Sequence, residues 1–210
     1  MIKKYFLLNA LFVLSVTSYS EPLDPVKLLS NYVGIDTVNP PGNESRAVDF
    51  YAKIFEKEGI EFSSGESAPG RGNIWARIKG GDLPALILLQ HTDVVPATKK
   101  YWDTDPFVAE IKDGYLYGRG VIDMKGAGIS QLVSFIRLHR SGLSLNRDVV
   151  FVATADEEAG GMFGAGWLID NHPEIFEGAG FVINEGGSGQ IIDGEKVFAI
   201  EITQKVPVWL

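Results

Sequence analysis

Side chains able to bind metal ions follow three apolar segments of the chain, at the points where each segment ends. They are His91 and Asp93 after residues 85–89, Glu157 and Glu158 after 149–153, and Glu185 after 181–183. In open α/β sheets, ligands bind just beyond the carboxyl ends of the strands. If the three segments are strands of one sheet, these residues can meet although they lie far apart in sequence. A further candidate ligand, Asp123, lies in the glycine-rich loop 118–126, which opens a helix.

The mixture of side chains indicates which metals fit. Imidazole together with several carboxylates suits zinc, cobalt or manganese better than calcium, which takes oxygen ligands alone. One histidine with three carboxylates exceeds the ligand set of a single catalytic zinc. The set matches a two-metal site, in which metals about 3.5–4 Å apart share a bridging carboxylate and activate one water.

Two further spacings predict how such a site works. The carboxylate of Asp93, two residues after His91, can accept the second imidazole N–H and fix the tautomer of the ring. The adjacent side chains of Glu157 and Glu158 diverge, so they cannot easily bind one metal together. We therefore expect one of them to be a ligand and the other to be the general base for the attacking water.

Each of these signals is weak when taken alone. A single histidine after a strand is most often a hydrogen-bonded loop residue, adjacent glutamates are usually solvated, and Glu185 before two glycines suits a turn. His139 and His172 lie on or beside predicted helices, so we interpret them as structural or exposed. The loop 118–126 lacks the spacing of a phosphate-binding loop, and the chain has no G-x-S-x-G nucleophile turn. The shared position at strand ends is what favours the metal site.

The pattern of apolar residues predicts the helices and strands that position these side chains. A helix starts at Asp24-Pro25 and runs to about residue 35, and a second helix, capped by Asn43, ends at Gly59. Strands are predicted at 73–79, 85–89, 149–153, 181–183 and 197–203, a hairpin at 107–117, and further helices before Gly142 and near 163–171. The segments that precede the candidate ligands are apolar throughout, as expected for strands covered on both faces. The alternation predicts an α/β fold, a three-layer sandwich with a mostly parallel central sheet.

The composition sets the size and the class of the molecule. The chain has 210 residues, of which 45% are hydrophobic and 22% are charged. This is enough for one domain or about one and a half. With 27 acidic and 19 basic residues the formal net charge is −8, which argues against a nucleic-acid partner. The absence of cysteine excludes disulfides, thiolate zinc sites and cysteine nucleophiles.

The first twenty residues are predicted to be a secretory signal peptide. Two lysines precede an apolar run over 5–16, and Ser18 and Ser20 supply the small residues of a cleavage site before Glu21. The run is short for a membrane span, and an N-terminal anchor or a buried helix is the alternative. We expect residues 21–210 to be exported to the periplasm or secreted, with no membrane attachment after cleavage.

Four ordered motifs resemble the M20 family of metallopeptidases. They are His91-Thr92-Asp93-Val94-Val95-Pro96, Gly118-Arg119-Gly120-x-x-Asp123-Met124-Lys125-Gly126, Asp156-Glu157-Glu158-x-Gly160-Gly161 and Asn184-Glu185-Gly186-Gly187. The segments 39–44 and 102–107 match as well, and the resemblance covers residues 24–210. That family includes glutamate carboxypeptidase, Gly-X carboxypeptidase, aminoacylase and succinyl-diaminopimelate desuccinylase.

The resemblance implies a role for each candidate residue. Four residues would hold two zinc ions, with cobalt or manganese as alternatives: His91 and Glu185 the first ion, Glu158 the second, and Asp123 both. Asp93 would orient His91, and Glu157 would be the general base. The resemblance also implies a cis peptide bond after Asp123.

The implied reaction is hydrolysis of an amide bond next to a free carboxylate, in a small peptide or an N-acyl amino acid. The form of the motif at 184–187 and the export signal favour the carboxypeptidase and N-acyl-amino-acid hydrolase branch of the family. A deacylase or desuccinylase is the alternative enzyme. A non-catalytic metal-binding fragment is the alternative from a different class.

One part of the family pattern has no match in this chain. The family completes its second zinc shell with a late histidine, after an inserted dimerisation domain, and this sequence stops before that position. The apolar ending at 207–210 also predicts a truncation. We therefore expect residues 21–210 to be the N-terminal part of a catalytic domain, inactive or impaired by itself, and the full-length form to be a homodimer.

Overall fold

A five-stranded sheet lies at the centre of the computed structural model, which describes residues 22–186 and 188–199. The helices are α1 Pro25–Val33, α2 Ser45–Glu58, α3 Gly126–Ser141 and α4 Trp167–Asn171. The strands are β1 Phe62–Glu66, β2 Gly72–Ile78, β3 Leu83–His91, β4 Glu110–Lys112, β5 Tyr115–Tyr117, β6 Arg147–Thr154, β7 Ala179–Ile183, β8 Ser188–Ile192 and β9 Glu195–Ala199. The order of helices and strands confirms the predicted α/β fold.

The strands of the central sheet lie in the order β1-β2-β6-β3-β7. Strands β6, β3 and β7 run parallel to one another, whereas β1 pairs antiparallel with β2 and β2 pairs antiparallel with β6. The sheet is therefore mixed. The expectation of parallel strands is correct for the three that carry candidate ligands. The first two strands differ, since β1 and β2 follow each other through a short connection, which an antiparallel pair allows.

Helices cover both faces of the sheet, which gives the predicted three layers. On one face, α1, α2 and α3 surround an aromatic core in which the ring of Phe151 lies 5.4 Å from Phe55 and 5.7 Å from Phe135. On the other face, Val152 packs with Leu168 of α4. Successive side chains of β6 thus point into opposite layers, because side chains alternate along a strand.

The predicted ends of the first two helices are confirmed at two positions. The carboxylate of Asp24 accepts the backbone amides of Val26 and Lys27, both at 3.0 Å, and so caps α1. Helix α2 ends at Gly59, whose φ of 66° lies in the left-handed region that favours glycine.

The start of α2 differs from the prediction. Asn43 does not cap the helix: its backbone φ is 89°, and α2 begins after Glu44 without a side-chain cap. The physical reason is a tertiary contact. The carboxylate of Glu44 is fully buried and lies 3.3 Å from the guanidinium of Arg71, and this pair holds the chain in a different path as it enters the helix.

Strand β7 forms where it was predicted, but the expectation that it is buried on both faces is wrong. Phe181, Val182 and Ile183 are between 50% and 60% exposed. The strand lies at one edge of the central sheet and is paired with β3 alone among the described strands. An apolar run predicts burial only where neighbouring elements cover it, and within 22–186 and 188–199 none covers this edge.

The remaining predictions concern the hairpin, the last strand and the two ends of the chain, and the structure describes only some of these residues. The predicted hairpin is β4–β5, with Asp113 and Gly114 at φ values of 52° and 82°, as a tight hairpin turn requires. The strand expected at 197–203 is described only as far as Ala199. The predicted signal peptide and the chain end at 207–210 lie outside the described residues. Among the helices that are described, none combines the length and the apolar character needed to cross a bilayer.

Candidate metal centre

Three neighbouring parallel strands end at the same edge of the sheet. His91 at the end of β3 lies opposite Thr154 at the end of β6, and Ile183 at the end of β7 lies opposite Leu88. The loops that follow the strands therefore begin side by side. Glu185, two residues beyond β7, lies close to His91 at this edge.

Asp123 reaches this edge from an irregular turn, Val121–Lys125, at the start of α3. The peptide bond that follows Asp123 is cis, as the resemblance implies. Lys125 anchors the turn, because its buried Nζ donates to the carbonyl oxygens of Tyr32 and Ile35 at 3.0 and 2.8 Å. Burial lowers the pKa of this ammonium group to about 7, so the two carbonyl oxygens, at and just beyond the C-terminal end of α1, hold it mainly through hydrogen bonds. Helix α1 thus holds the loop that carries Asp123.

The imidazole of His91 lies among the candidate ligands. Its side chain is 1% exposed, and Nε2 lies 3.0 Å from Asp123 Oδ1, 3.4 Å from Glu185 Oε2 and 3.8 Å from Glu157 Oε2. The three carboxylates are themselves partly exposed. The cluster therefore has a buried histidine on one side and solvent-accessible carboxylates on the other.

Two overlapping groups of side chains have donor atoms close enough for a metal ion. His91, Glu157 and Glu185 form one group, and His91, Asp123 and Glu158 form the other, with all donor atoms in each group within 4.8 Å of one another. The adjacent glutamates diverge into different groups, as predicted. Two donors bound to zinc at about 2.0–2.1 Å in a tetrahedral shell lie about 3.3 Å apart. The distances of 3.0 and 3.4 Å around His91 Nε2 match that spacing, so the donors around this nitrogen fit a divalent ion.

Asp93 contacts both His91 and the turn that carries the two glutamates. The Nδ1 atom of His91 lies 3.0 Å from the backbone carbonyl oxygen of Asp93 and 3.4 Å from its carboxylate. The predicted carboxylate partner is therefore present, but the carbonyl is closer. The same carboxylate accepts the backbone amides of Glu157 and Glu158, both at 3.1 Å. Asp93 thus fixes the ring and the turn together.

His91, Asp93 and Glu185 shift one another's pKa values toward the charged forms. Burial alone would lower the pKa of His91, but hydrogen bonds to Asp93 and Glu185 and their negative charges raise it to about 11. Burial would likewise raise the pKa of Asp93, yet hydrogen bonds from His91 and Asn39 hold it below its usual value. The hydrogen bond to His91 lowers the pKa of Glu185. The neighbouring carboxylates therefore favour a positive charge at the His91 imidazole.

The two adjacent glutamates hold protons more tightly than usual. Burial, followed by the charge of Asp123, raises the pKa of Glu158 to about 6. Burial and the neighbouring carboxylates raise the pKa of Glu157, against the opposing charge of His91. Carboxylates crowded in this way are expected wherever a site is arranged to bind cations.

The structure brings together every residue that the sequence predicted for the site: His91, Asp93, Asp123, Glu157, Glu158 and Glu185. The other two histidines lie elsewhere, in agreement with their structural interpretation. The ring of His172 packs beside Trp75 and Trp167, with centroids 4.8 and 5.1 Å away. His139 lies in the last turn of α3.

A buried polar network behind the site was not predicted. Asn39 Nδ2 donates to Asp93 Oδ2 at 2.8 Å and lies 3.3 Å from Asp156 Oδ1, while Arg71 pairs with Asp156 and Glu44. Asn39 and Asp156 lie inside the family motifs. The motifs indicate that these two residues have a role, but not which side chains they contact. Arg71 gives no local signal, since the hydrogen-bond and ion-pair partners of its side chain lie between 27 and 85 residues away in sequence.

A large part of the sequence also matches a family model. The model of peptidase family M20/M25/M40 matches residues 87–207, which is more than half of the chain. The chain belongs to this family. The resemblance inferred from the four motifs is confirmed.

Relatives in the M20 family are considerably longer than this chain. Aminoacylase-1B of Rattus norvegicus is 31% identical over 188 residues, which cover 88% of this chain and 45% of that protein. Succinyl-diaminopimelate desuccinylase of Ehrlichia canis (strain Jake) is 32% identical over 163 residues, or 73% of this chain and 41% of that protein. The structure of an M20 family metallo-carboxypeptidase from Sulfolobus solfataricus shares the fold, with a TM-score of 0.67, 22% identity, and coverage of 79% of this chain and 38% of that one. The chain therefore spans less than half the length of these relatives.

Proposed function

We propose that this M20 family member supplies the metal-binding residues of a hydrolase that cleaves an amide bond next to a free carboxylate. The proposed substrates are N-acyl amino acids or small peptides. The observation that carries the proposal is the convergence of three carboxylates on the buried imidazole of His91, at the ends of neighbouring parallel strands. The names of the relatives, an aminoacylase, a desuccinylase and a metallo-carboxypeptidase, support the same class of reaction.

Two zinc ions are the proposed cofactors, with cobalt or manganese as alternatives. His91 and Glu185 would hold the first ion, Glu158 the second, and Asp123 both. When bound, the ions would polarise the substrate carbonyl and lower the pKa of the attacking water.

Glu157 is the proposed general base. Its Oε2 lies 3.8 Å from His91 Nε2, and the raised pKa of its carboxyl group favours the uptake of a proton. In the reaction, this carboxylate would take a proton from the attacking water and deliver it to the nitrogen of the leaving amine. Asp93 would keep the His91 ring and the Glu157-Glu158 turn in their relative positions.

We also propose that the protein is exported, because residues 1–20 have the pattern of a cleaved signal peptide. Amino-terminal sequencing of the protein recovered from the periplasm or the medium is expected to begin at Glu21. Recovery only inside the cell, with an intact Met1, would contradict export.

The test of function compares Glu157→Gln with Glu177→Gln, both made in the product of the complete reading frame. Glu177 is an exposed glutamate outside both donor groups. We expect Glu157→Gln to bind as much zinc as the parent protein and to lose about 10²–10⁴-fold in kcat on a panel of dipeptides and N-acyl amino acids. Glu177→Gln is expected to keep both properties.

The same panel separates the alternatives. Preference for dipeptides supports a carboxypeptidase, and preference for N-acetyl or N-succinyl amino acids supports a deacylase or desuccinylase. A parent protein that binds zinc but hydrolyses nothing in the panel would be a metal-binding module. A parent protein that binds neither zinc, cobalt nor manganese would contradict the site itself.

A further inference from the structure

A buried group of charged side chains lies directly behind the candidate metal centre. It contains three carboxyl groups, from Glu44, Asp93 and Asp156, and the guanidinium of Arg71, all less than 10% exposed. Carboxylates gathered in a region from which water is excluded repel one another unless a cation offsets them. Arg71 supplies that positive charge from the residue that precedes β2.

The guanidinium of Arg71 is held by contacts from several segments. Its Nη2 atom pairs with Asp156 and lies 3.3 Å from Glu44 Oε1. Its Nη1 atom donates to the side-chain oxygen of Asn39 at 3.2 Å and to the carbonyl oxygen of Pro41 at 2.7 Å. The planar, forked arrangement of arginine donors suits such a set of simultaneous partners, whereas lysine offers a single point charge.

The contacts of Arg71 lead to the proposed metal ligands through two routes. Asp156 is the residue before Glu157, so the pair with Arg71 fixes the start of the turn that carries the two glutamates. Asn39 accepts from Arg71 and donates to Asp93, whose carboxylate accepts the amides of that same turn. Arg71 is thus linked to the turn from both ends without touching a proposed ligand in either donor group.

We propose that Arg71 is a positioning residue for the metal centre: it holds the turn of residues 156–158 so that the carboxylates of Glu157 and Glu158 face His91. This inference rests on the proposed function for its consequence, metal affinity, but its geometric content is independent. Without the arginine, the buried carboxyl groups of Glu44 and Asp156 would lose the positive charge beside them, and the turn would lose the partner of Asp156. The carboxylates of the turn would then be free to rotate away from the site.

The test replaces Arg71 and compares the result with a replacement of Arg77, which lies in the strand that follows and forms a different ion pair. Arg77 forms an ion pair with Asp148 at 2.9 Å and donates to the carbonyl oxygen of Ile175, outside the candidate metal centre. In Arg71→Met of the full chain, we expect zinc affinity, measured by competition with a chromophoric chelator, to fall about 10–100-fold. Arg77→Met is expected to keep the parental affinity, even if it unfolds at a lower denaturant concentration.

A second variant and a metal-free measurement keep the proposal open to refutation. Arg71→Lys retains the charge and loses the fork, so it is expected to fold and to show an intermediate loss of zinc affinity. In zinc-free protein, hydrogen exchange of the Glu157 and Glu158 amides is expected to accelerate in both Arg71 variants. Exchange in the middle of β6 is expected to stay unchanged.

The outcomes separate this inference from the proposed function. Parental zinc affinity and parental exchange at Glu157 and Glu158 in either folded Arg71 variant would overturn the positioning role. If the parent chain binds no zinc, the proposed function fails, and the exchange rates still decide whether Arg71 holds the turn.

Discussion

The carboxylate of Asp93 accepts the backbone amide of Glu158 at 3.1 Å, although 65 residues separate the two in sequence. The other carboxylate oxygen accepts the amide of Glu157 at the same distance. The side chain that lies beside the His91 ring therefore also fixes the turn after the neighbouring strand. One carboxylate thus links the ends of β3 and β6. The distance between the proposed ligands that follow these two strands is therefore set by the sheet and not by a flexible loop.

Replacing Asp93 by Asn is expected to weaken zinc binding about 10–100-fold. Asparagine has one acceptor oxygen where aspartate has two, so one of the two amides in the Glu157-Glu158 turn would face an NH2 group. Zinc affinity is measured by chelator competition on the folded variant. The matched control is Asp148→Asn, because Asp148 also accepts a backbone amide, that of Gly80 at 2.7 Å, outside the candidate metal centre. Equal affinity in the two variants would contradict the expectation.

Replacing Met124 by Leu is expected to lower the free energy of unfolding by about 1 kcal/mol. The backbone N–H of His91 donates to the sulfur of Met124 at 3.2 Å, and leucine has nearly the same volume but no acceptor. Urea unfolding measures the change. The control is Met162→Leu, because Met162 is 71% exposed. If the two variants unfold at the same urea concentration, the sulfur contact has no energetic role.

Replacing Gly164 by Ala is expected to destabilise the fold by about 1–3 kcal/mol and to weaken zinc binding as well. A Cβ atom at this position would overlap the backbone carbonyl oxygen of Ala155, which cannot move without shifting the Asp156–Glu158 turn. Thermal unfolding and chelator competition measure the two effects. Gly34→Ala is the control, because Gly34 has a φ of −70° and its nearest neighbouring atom would lie at 3.6 Å. A Gly164 variant as stable as this control would refute the steric argument.

The loss of the proton from buried Glu44 is expected to contribute a decrease in stability as the pH rises from 4.5 to about 7. Burial raises the pKa of this carboxyl group from 4.5 to about 7, against the opposing effect of Arg71. Between these values Glu44 is protonated more often in the folded state than in the unfolded state, so its contribution to the free energy of unfolding falls with increasing pH.

Glu44→Gln isolates this contribution, since glutamine keeps the shape of a protonated glutamate and does not titrate. The variant is expected to show a flatter dependence of the urea midpoint on pH over the same range. Glu66, whose side chain accepts from Ser45 near the same helix start, provides the control substitution Glu66→Gln. An identical pH dependence in the parent and in Glu44→Gln would show that Glu44 is already ionised when folded.

Much of the fold could be predicted because local signals carry it. Asp24 starts α1 and Gly59 ends α2 through contacts within a few residues. The apolar segments before the candidate ligands form strands as expected. The predictions failed where a distant partner decides. Glu44 pairs with Arg71, and Asn43 does not form the expected helix cap. Strand β7 is exposed because burial depends on which elements pack against a strand.

The sequence by itself determined which chemical groups follow which strands, and therefore that imidazole and carboxylates meet if those strands are neighbours. Periodicity and turn residues are local properties, so they can be read without knowing the fold. Only the tertiary structure decided that Asn39, Arg71 and Asp93 support the turn of residues 156–158. Those contacts join positions 32 to 117 residues apart. They arise from how the sheet and the loops pack, because no local pattern specifies which distant side chain a buried charge will find.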